Sequence, residues 1–299
     1  MTTTGRRLRV GILGSGNIGT DLLVKVLRSE LLECVVVMGR NLGSPGLTKA
    51  HELGVPVTDE SIRWVQAHPD ALDLVFDATS AADHALHAPI LESLGILAVD
   101  LTPAAVGPYY VPAVNDEASR EAVNLNMVTC GGQASLPIAH ALGLTQPDVE
   151  YIEVVSSIAS RSAGPATRAN LDEYIDTTES AVLQFSGARR AKAILNLNPA
   201  EPCINMQTTV LAKVADPDVS GLQSALDELV ARVQQYVPGY EILVNPTLEN
   251  GRIVVMARVR GLGDHLPAYA GNLDIINCAA VAAAESFGVH RGRQPEEIA

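Results

Sequence analysis

The sequence predicts an α/β fold: an N-terminal doubly wound parallel sheet of the Rossmann type, followed by a C-terminal α+β domain. Three observations carry this. Over residues 1–133, short apolar runs rich in Val, Ile and Leu alternate with segments of helical period, as in a parallel sheet covered on both faces. The first run, LRVGIL, leads into Gly14-x-Gly16-x-x-Gly19 and then into a helix-period segment. Beyond residue 134 the runs lengthen and partly alternate, and an amphipathic segment, VSGLQSALDELVARVQQYV, lies among them.

In the first region CVVVMG is the second strand, and LDLVFDATSA is the third with a polar end. ADHALHAPILESLG reads as a helix, ILAVDLTPAAVG as a strand running into a Pro/Gly loop, and LNMVTCGG as a further strand ending on a cysteine. In the second region DVEYIEVVSSIAS, INMQTTVLAKV, YEILVNPTL and GRIVVMARVRG read as strands, and the short turn between the last two predicts an antiparallel pair. GNLDIINCAAVAAAESFG predicts a final helix. The expected division is a dinucleotide-binding domain at 1–133 carrying a nucleophile at its end and an α+β substrate and dimerisation domain at 134–271. A helix at 272–290 is expected to pack back on the first domain.

The chain has 299 residues, 47% of them hydrophobic, and a net charge of −13. A phosphate backbone needs a basic surface, so a nucleic-acid partner is not expected. No apolar run is long enough to span a bilayer, and MTTTGRRLRV has no apolar leader, so no membrane association and a cytoplasmic location are expected. The four cysteines, Cys34, Cys130, Cys203 and Cys278, form no CxxC pair and have no histidine cluster beside them. No metal site and no disulfide framework are expected. Cys34 and Cys278 lie in apolar runs and are expected in the core, and Cys203 in a loop or at a strand edge.

Gly14, Gly16 and Gly19 between a strand and a helix suit a dinucleotide pyrophosphate. The first glycine allows the tight turn, the second lets the phosphates approach, and the third lets the helix pack on the strand. The helix N-terminus adds N–H groups and a positive dipole. A carboxylate for the ribose hydroxyls is expected about 20 residues on. Gly39-Arg40-Asn41 stands there instead. Arg40 and Ser44 suit a 2′-phosphate; the alternative is that Arg40 stacks on adenine or points into solvent.

Cys130 precedes Gly131-Gly132 and a helical segment. A thiol at a helix N-terminus has its thiolate stabilised, and the same N–H groups are placed for an oxyanion on a carbonyl attacked by the sulfur. The two glycines are expected to leave room for the substrate. Acyl or thiohemiacetal chemistry with hydride passed to a nicotinamide follows. These residues leave the acyl acceptor open. Coenzyme A gives an acylating dehydrogenase, and water gives a semialdehyde or special-aldehyde dehydrogenase of a biosynthetic pathway. A dinucleotide-binding partner of an aldolase without catalysis is the third possibility.

GSGNIGTDL, VFDATSA, DLTPAAVGP, NMVTCGGQA, SAGPATRANLDEYIDTT, YVPGY and LPAYAGNLDI, in this order from about residue 8 to 288, closely resemble the acylating acetaldehyde dehydrogenases of meta-cleavage pathways, the breakdown routes of aromatic hydrocarbons. The resemblance implies a two-domain fold like glyceraldehyde-3-phosphate dehydrogenase, with Cys130 as the thioester nucleophile. It implies NAD or NADP as cofactor and coenzyme A as co-substrate, converting a short, acetaldehyde-like aldehyde to acyl-CoA. Cofactor contacts are implied from Ser15, Gly16, Asn17 and Ile18 of the glycine loop. Others are implied from Ser162, Ala163, Gly164, Pro165, Ala166, Thr167, Arg168, Ala169 and Asn170, and from Asn272, which is also placed to cap the last helix. A homodimer and a 4-hydroxy-2-oxovalerate aldolase partner are implied too. The chain departs from the family pattern at Thr208, where the pattern Met-Arg-Asp-Thr has its aspartate, at Arg40-Asn41, and at Ala166, where glycine is usual. It is also shorter around 245–252.

Overall fold

The computed structural model describes residues 7–291. In chain order its elements are β1 (Leu8–Leu13), α1 (Asn17–Val26), β2 (Leu32–Met38), α2 (Pro45–Glu52), β3 (Val57–Thr58), α3 (Ile62–Ala67), β4 (Leu74–Asp77), α4 (Ala81–Ser93), β5 (Leu97–Asp100), α5 (Pro112–Asn115) and β6 (Asn124–Asn126). They continue with α6 (Cys130–Thr145), β7 (Val149–Ala159), α7 (Pro165–Ala169), α8 (Leu171–Ser186), β8 (Ala191–Asn198), β9 (Met206–Val214), α9 (Val219–Tyr236), β10 (Tyr240–Glu249), β11 (Arg252–Val259) and α10 (Gly271–Arg291). The chain groups into two compact units. One holds residues up to Tyr110, Asp116–Met127 and residues from Ala280 on; the other holds Val111–Asn115 and Val128–Ala279.

The first unit contains one six-stranded sheet in the order β3-β2-β1-β4-β5-β6, parallel throughout. This is the doubly wound order whose direction reverses between β1 and β4, and ligands of such sheets bind beyond the strand ends at that switch point. The central strands are buried on both faces, so Val10, Ile12, Leu13, Leu74, Val75 and Phe76 form a nearly unbroken apolar run. At the start of β1, Arg9 grips Asp73 with its backbone N–H, Nε and Nη2 at 2.9–3.1 Å.

LNMVTCGG is not one strand. β6 ends at Asn126, its last pair with Asp100, and Val128 then turns with φ 61°. A β-branched residue in the left-handed region costs about 1–3 kcal/mol and marks a forced turn. The chain enters α6 directly at Cys130, which therefore groups with the second unit, whereas the apolar pattern alone sets the boundary after residue 133.

The second unit is a five-stranded sheet in the order β10-β11-β9-β7-β8, antiparallel except for the parallel pair β7–β8. The expected antiparallel pair is β10–β11, closed by Asn250-Gly251 with φ of 49° and 74°. Two consecutive positive φ values match the strand twist, and Asn-Gly accepts them. Along β9 and β11 alternate residues (Met206, Thr208, Val210, Ala212; Ile253, Val255, Ala257, Val259) are buried. Helices α6, α8 and α9 pack on this sheet. Neither α8 nor β8 is among the expected elements. β8 is an edge strand with partly exposed residues, while α8 buries one face at helical spacing, Tyr174, Thr177, Thr178, Ala181, Val182 and Ser186, in which hydroxyl side chains stand among the apolar ones. Among the described residues no helix is long and apolar enough to cross a membrane. Cys278 is buried as expected, but Cys34 is only half-buried, because the N-terminal half of β2 is partly open. Cys203 lies in the loop before β9.

Candidate active site

The glycine loop joins β1 to α1 at the switch point. Gly14 has φ 108°, and a Cβ on it would lie 2.5 Å from the Ala78 carbonyl oxygen. A Cβ on Gly19 would lie 2.0 Å from the Gly14 carbonyl oxygen, so the helix can start this close to the strand only with glycine there. A Cβ on Gly16 would meet nothing within 4 Å. Gly14 and Gly19 are required by the protein's own packing, while Gly16 borders open space. That is the shape a pyrophosphate needs, a cradle a methyl group would fill. Gly16 is the N-cap of α1, and Asn17 and Ile18 form its first turn. Ser15 Oγ lies 3.0 Å from Ser44 Oγ.

Arg40 follows β2. Its side chain is 86% exposed and stands 3.9 Å from Asp83, an ion pair too open to hold it. Ser44 caps α2 by accepting the Leu47 N–H at 3.4 Å. Its hydroxyl is thus engaged within the protein, while the Arg40 guanidinium is solvated.

Cys130 is the first residue of α6. The N-cap Thr129 accepts the Gly132 N–H at 2.8 Å, and its carbonyl accepts the Gln133 N–H at 2.8 Å. The Gly131 N–H donates to Tyr174 Oη at 3.0 Å, and the same hydroxyl lies 3.8 Å from Cys130 Sγ. The expectation that the first N–H groups of α6 face an oxyanion is therefore corrected at Gly131 and Gly132, because protein oxygens already take them. The reason for the glycines changes too. A Cβ on Gly131 would lie 2.1 Å from Tyr174 Oη and 2.8 Å from Ser156 Oγ; one on Gly132 would lie 2.6 Å from Val128 Cγ1. Gly131 makes room for Tyr174 and Ser156, and Gly132 for the strained Val128, rather than for a substrate. Ser156 is bonded to Thr208 Oγ1 at 2.9 Å. The departing residue Thr208 therefore stands, fully buried, in this hydroxyl cluster.

Burial pushes the Cys130 thiol up to about 11 against the lowering effects of the Tyr174 hydroxyl and the Gly131 and Cys130 N–H groups. Among the described residues no charged side chain shifts it. Tyr174 is itself raised well above the usual phenol range, first by burial and then by the nearby sulfur.

The segment from Ser162 to Asn170 is not a plain loop. It leaves a single 3-10 turn and contains α7, with Pro165 at the first position. Arg168 folds it on itself, donating to the Ala163 carbonyl at 3.1 Å and to the Ser160 carbonyl and hydroxyl at 2.9 Å. Asn170 Nδ2 donates to the Ala166 carbonyl at 2.6 Å. Asn272 is the second residue of α10, inside the first turn rather than at the cap. It is buried, and its Oδ1 has no hydrogen-bond partner among the described residues.

A buried network in the first unit has no counterpart in the expectations from sequence. Asp77 and Asp100 are paired in register at the ends of β4 and β5. His84 Nδ1 and His87 Nδ1 lie 2.9 and 2.8 Å from Asp77 Oδ2, and His84 Nε2 lies 3.4 Å from Asp100. Burial works to raise Asp77, but the two histidine bonds outweigh it and hold it at about 2. Burial pushes Asp100 up to about 7. Burial opposes a charged His84, yet its bond to Asp77 and the Asp100 charge raise it. The two carboxylates also fix the loops behind their strands through the Thr79 and Thr102 N–H groups at 3.1 and 2.7 Å. Two signals were available: histidines three residues apart share a helix face, and both facing strands end in Asp.

A doubly wound parallel sheet with a glycine turn, followed by a mixed-sheet unit opened by a cysteine, is a fold shared with solved semialdehyde dehydrogenases. The aspartate semialdehyde dehydrogenase of Candida albicans, solved with NADP, superposes with a TM-score of 0.64 over 94% of this chain and 100% of that one, at 11% identity. The family model described as "Prokaryotic acetaldehyde dehydrogenase, dimerisation" matches residues 130–267. An acetaldehyde dehydrogenase of Spirochaeta aurantia is 61% identical over 280 residues, 94% of each chain. One of Pectobacterium atrosepticum is 55% identical over 287 residues, covering 95% of this chain and 97% of that one. The chain belongs to the acetaldehyde dehydrogenase family.

Proposed function

We propose that this acetaldehyde dehydrogenase is CoA-acylating, with Cys130 as its nucleophile. The observation that supports the nucleophile is the placement of Cys130 as the first residue of α6, its sulfur 3.8 Å from the buried Tyr174 hydroxyl, while coenzyme A as acceptor rests on the resemblance. The Cys130 thiol, raised to about 11, gives its proton to solvent, and the thiolate adds to the aldehyde carbon, forming a C–S bond while the carbonyl pair moves to oxygen. A bound nicotinamide supplies the hydride acceptor. Cys130 then carries the acyl group as a thioester until the coenzyme A thiolate attacks the acyl carbon and the Cys130 thiolate leaves.

The open space at Gly16 and the buried, unpartnered Oδ1 of Asn272 support a nicotinamide dinucleotide. Gly14–Gly19 would hold the pyrophosphate, and cofactor contacts from Asn272 and the segment 162–170 are part of the proposal on the resemblance alone. With no carboxylate after β2, the solvated Arg40 is available to a 2′-phosphate, so use of NADP at least as readily as NAD is part of the proposal. The family description names dimerisation for residues 130–267, which supports a homodimer. An aldolase that hands over the aldehyde belongs to the same proposal on the resemblance alone.

The test is the product formed from a short aldehyde with coenzyme A and either nicotinamide cofactor. Acyl-CoA is expected. Free acid at the same rate with or without coenzyme A would replace this assignment with a non-acylating one.

A further inference from the structure

We propose that Tyr174 is a catalytic residue of this reaction, its hydroxyl relaying the Gly131 N–H to the Cys130 sulfur and holding the thiolate. The geometry is a chain of two contacts. The Gly131 N–H donates to Tyr174 Oη at 3.0 Å, and Oη stands 3.8 Å from Sγ, within reach to donate its own proton to the sulfur. Polarised in series, such bonds strengthen one another in a poorly solvated site. Tyr174 is buried, and its position is built rather than incidental. Gly131 can only be glycine because Oη and Ser156 Oγ fill the place of its Cβ.

The surroundings leave the task to this hydroxyl. From β7 and β9 the neutral hydroxyls of Ser156 and Thr208 are bonded to each other, with Ser156 against Gly131. Thr129, the N-cap of α6, is bonded to Thr178 of α8 at 2.8 Å and also touches the Tyr174 hydroxyl. None of these is charged, and Tyr174 is the one side chain among the groups that stabilise the thiolate. The tyrosine stays protonated over the working pH range, since burial and the sulfur both raise it, so it acts as donor and not as base.

The proposal rests on Cys130 being the nucleophile, so its test is read without turnover. The rate of iodoacetamide alkylation at Cys130 is followed by peptide mass spectrometry in the full chain, wild type against Tyr174→Phe, between pH 7 and pH 9. Loss of a hydrogen bond to a charged sulfur is expected to lower the rate about tenfold at each pH. It should lower kcat with little change in the KM for cofactor. An alkylation rate within about twofold of wild type would overturn the proposal. Should Tyr174→Phe fail to fold, 3-fluorotyrosine placed at 174 keeps the shape and strengthens the donor. A faster alkylation then supports the relay, and an unchanged or slower one overturns it. Retained acyl transfer in Cys130→Ala would instead remove the nucleophile assignment, an outcome distinct from both.

Discussion

Two glycines of the same loop should respond to the same substitution in opposite ways. In Gly19→Ala the new methyl carbon would stand 2.0 Å from the Gly14 carbonyl oxygen and 3.0 Å from its carbon. Both are backbone atoms, so α1 must move off β1. Alanine regains about 1 kcal/mol of helix propensity, but overpacking of this kind costs about 1–3 kcal/mol, and a backbone clash lies at the upper end. A net loss of about 1–2 kcal/mol lowers the melting temperature by roughly 2–3 °C for a chain of this size. In Gly16→Ala the methyl meets nothing, and φ −80°, ψ −169° is a conformation alanine adopts freely. Stability should stay within about 1 kcal/mol of wild type, since the gain through the unfolded chain is offset by alanine being a poorer N-cap than glycine. The methyl would however stand where the phosphates approach. Loss of one charge-assisted contact of about 1.5–3 kcal/mol weakens cofactor about 10- to 100-fold. Thermal melts without ligand and calorimetric titration with NADH and NADPH separate the two effects. A Gly16→Ala protein that binds cofactor as well as wild type would refute the assignment of this loop. So would a Gly19→Ala protein with unchanged melting.

Other perturbations have equally defined outcomes. Gly131→Ala should displace Tyr174 and Ser156, costing about 1–3 kcal/mol of stability and at least tenfold in kcat, read by thermal melt and steady-state kinetics. Arg40→Asp should weaken NADPH by about 10- to 100-fold and leave NADH nearly unaffected, in paired titrations of both cofactors. Asp77 is held at about 2 against an ordinary 3.8, so it contributes about 2–3 kcal/mol above pH 4, lost as the pH falls through 2. Acid unfolding followed by circular dichroism should show that segment in wild type and lack it in Asp77→Asn. His84 is raised, so its contribution is full below its ordinary value of 6.5 and fades as the pH climbs through the raised one.

Much of the first unit can be read from sequence because its signals are local. The strand, glycine turn and helix lie within thirty residues, and period-3.6 and continuous apolar runs name their elements. Asn250-Gly251 likewise specifies its hairpin through backbone φ alone. What is not legible depends on contacts made far along the chain. Tyr174 lies 44 residues from Cys130 in a helix whose buried face mixes threonine and serine with apolar residues, so nothing near the cysteine announces it. For the same reason Gly131 suggests space for a substrate when Tyr174 and Ser156 fill its place from elsewhere in the chain, while the place beside Gly132 is filled by the turned Val128 just before it. The run LNMVTCGG looks like one strand because Val128 has strand propensity, and only pairing shows that the ladder stops at Asn126. The histidine network needed the register of β4 against β5, and that is set by the sheet.

The assignment of Cys130 as the acylated nucleophile is tested most directly by trapping. The full chain is incubated with acetaldehyde and oxidised nicotinamide cofactor without coenzyme A, quenched in acid, digested and examined by mass spectrometry. An acetyl group should appear on the peptide carrying Cys130, vanish when coenzyme A is added before the quench, and be absent in Cys130→Ala. Acetylation at another residue, or reduced cofactor formed at the wild-type rate by Cys130→Ala, would contradict the account.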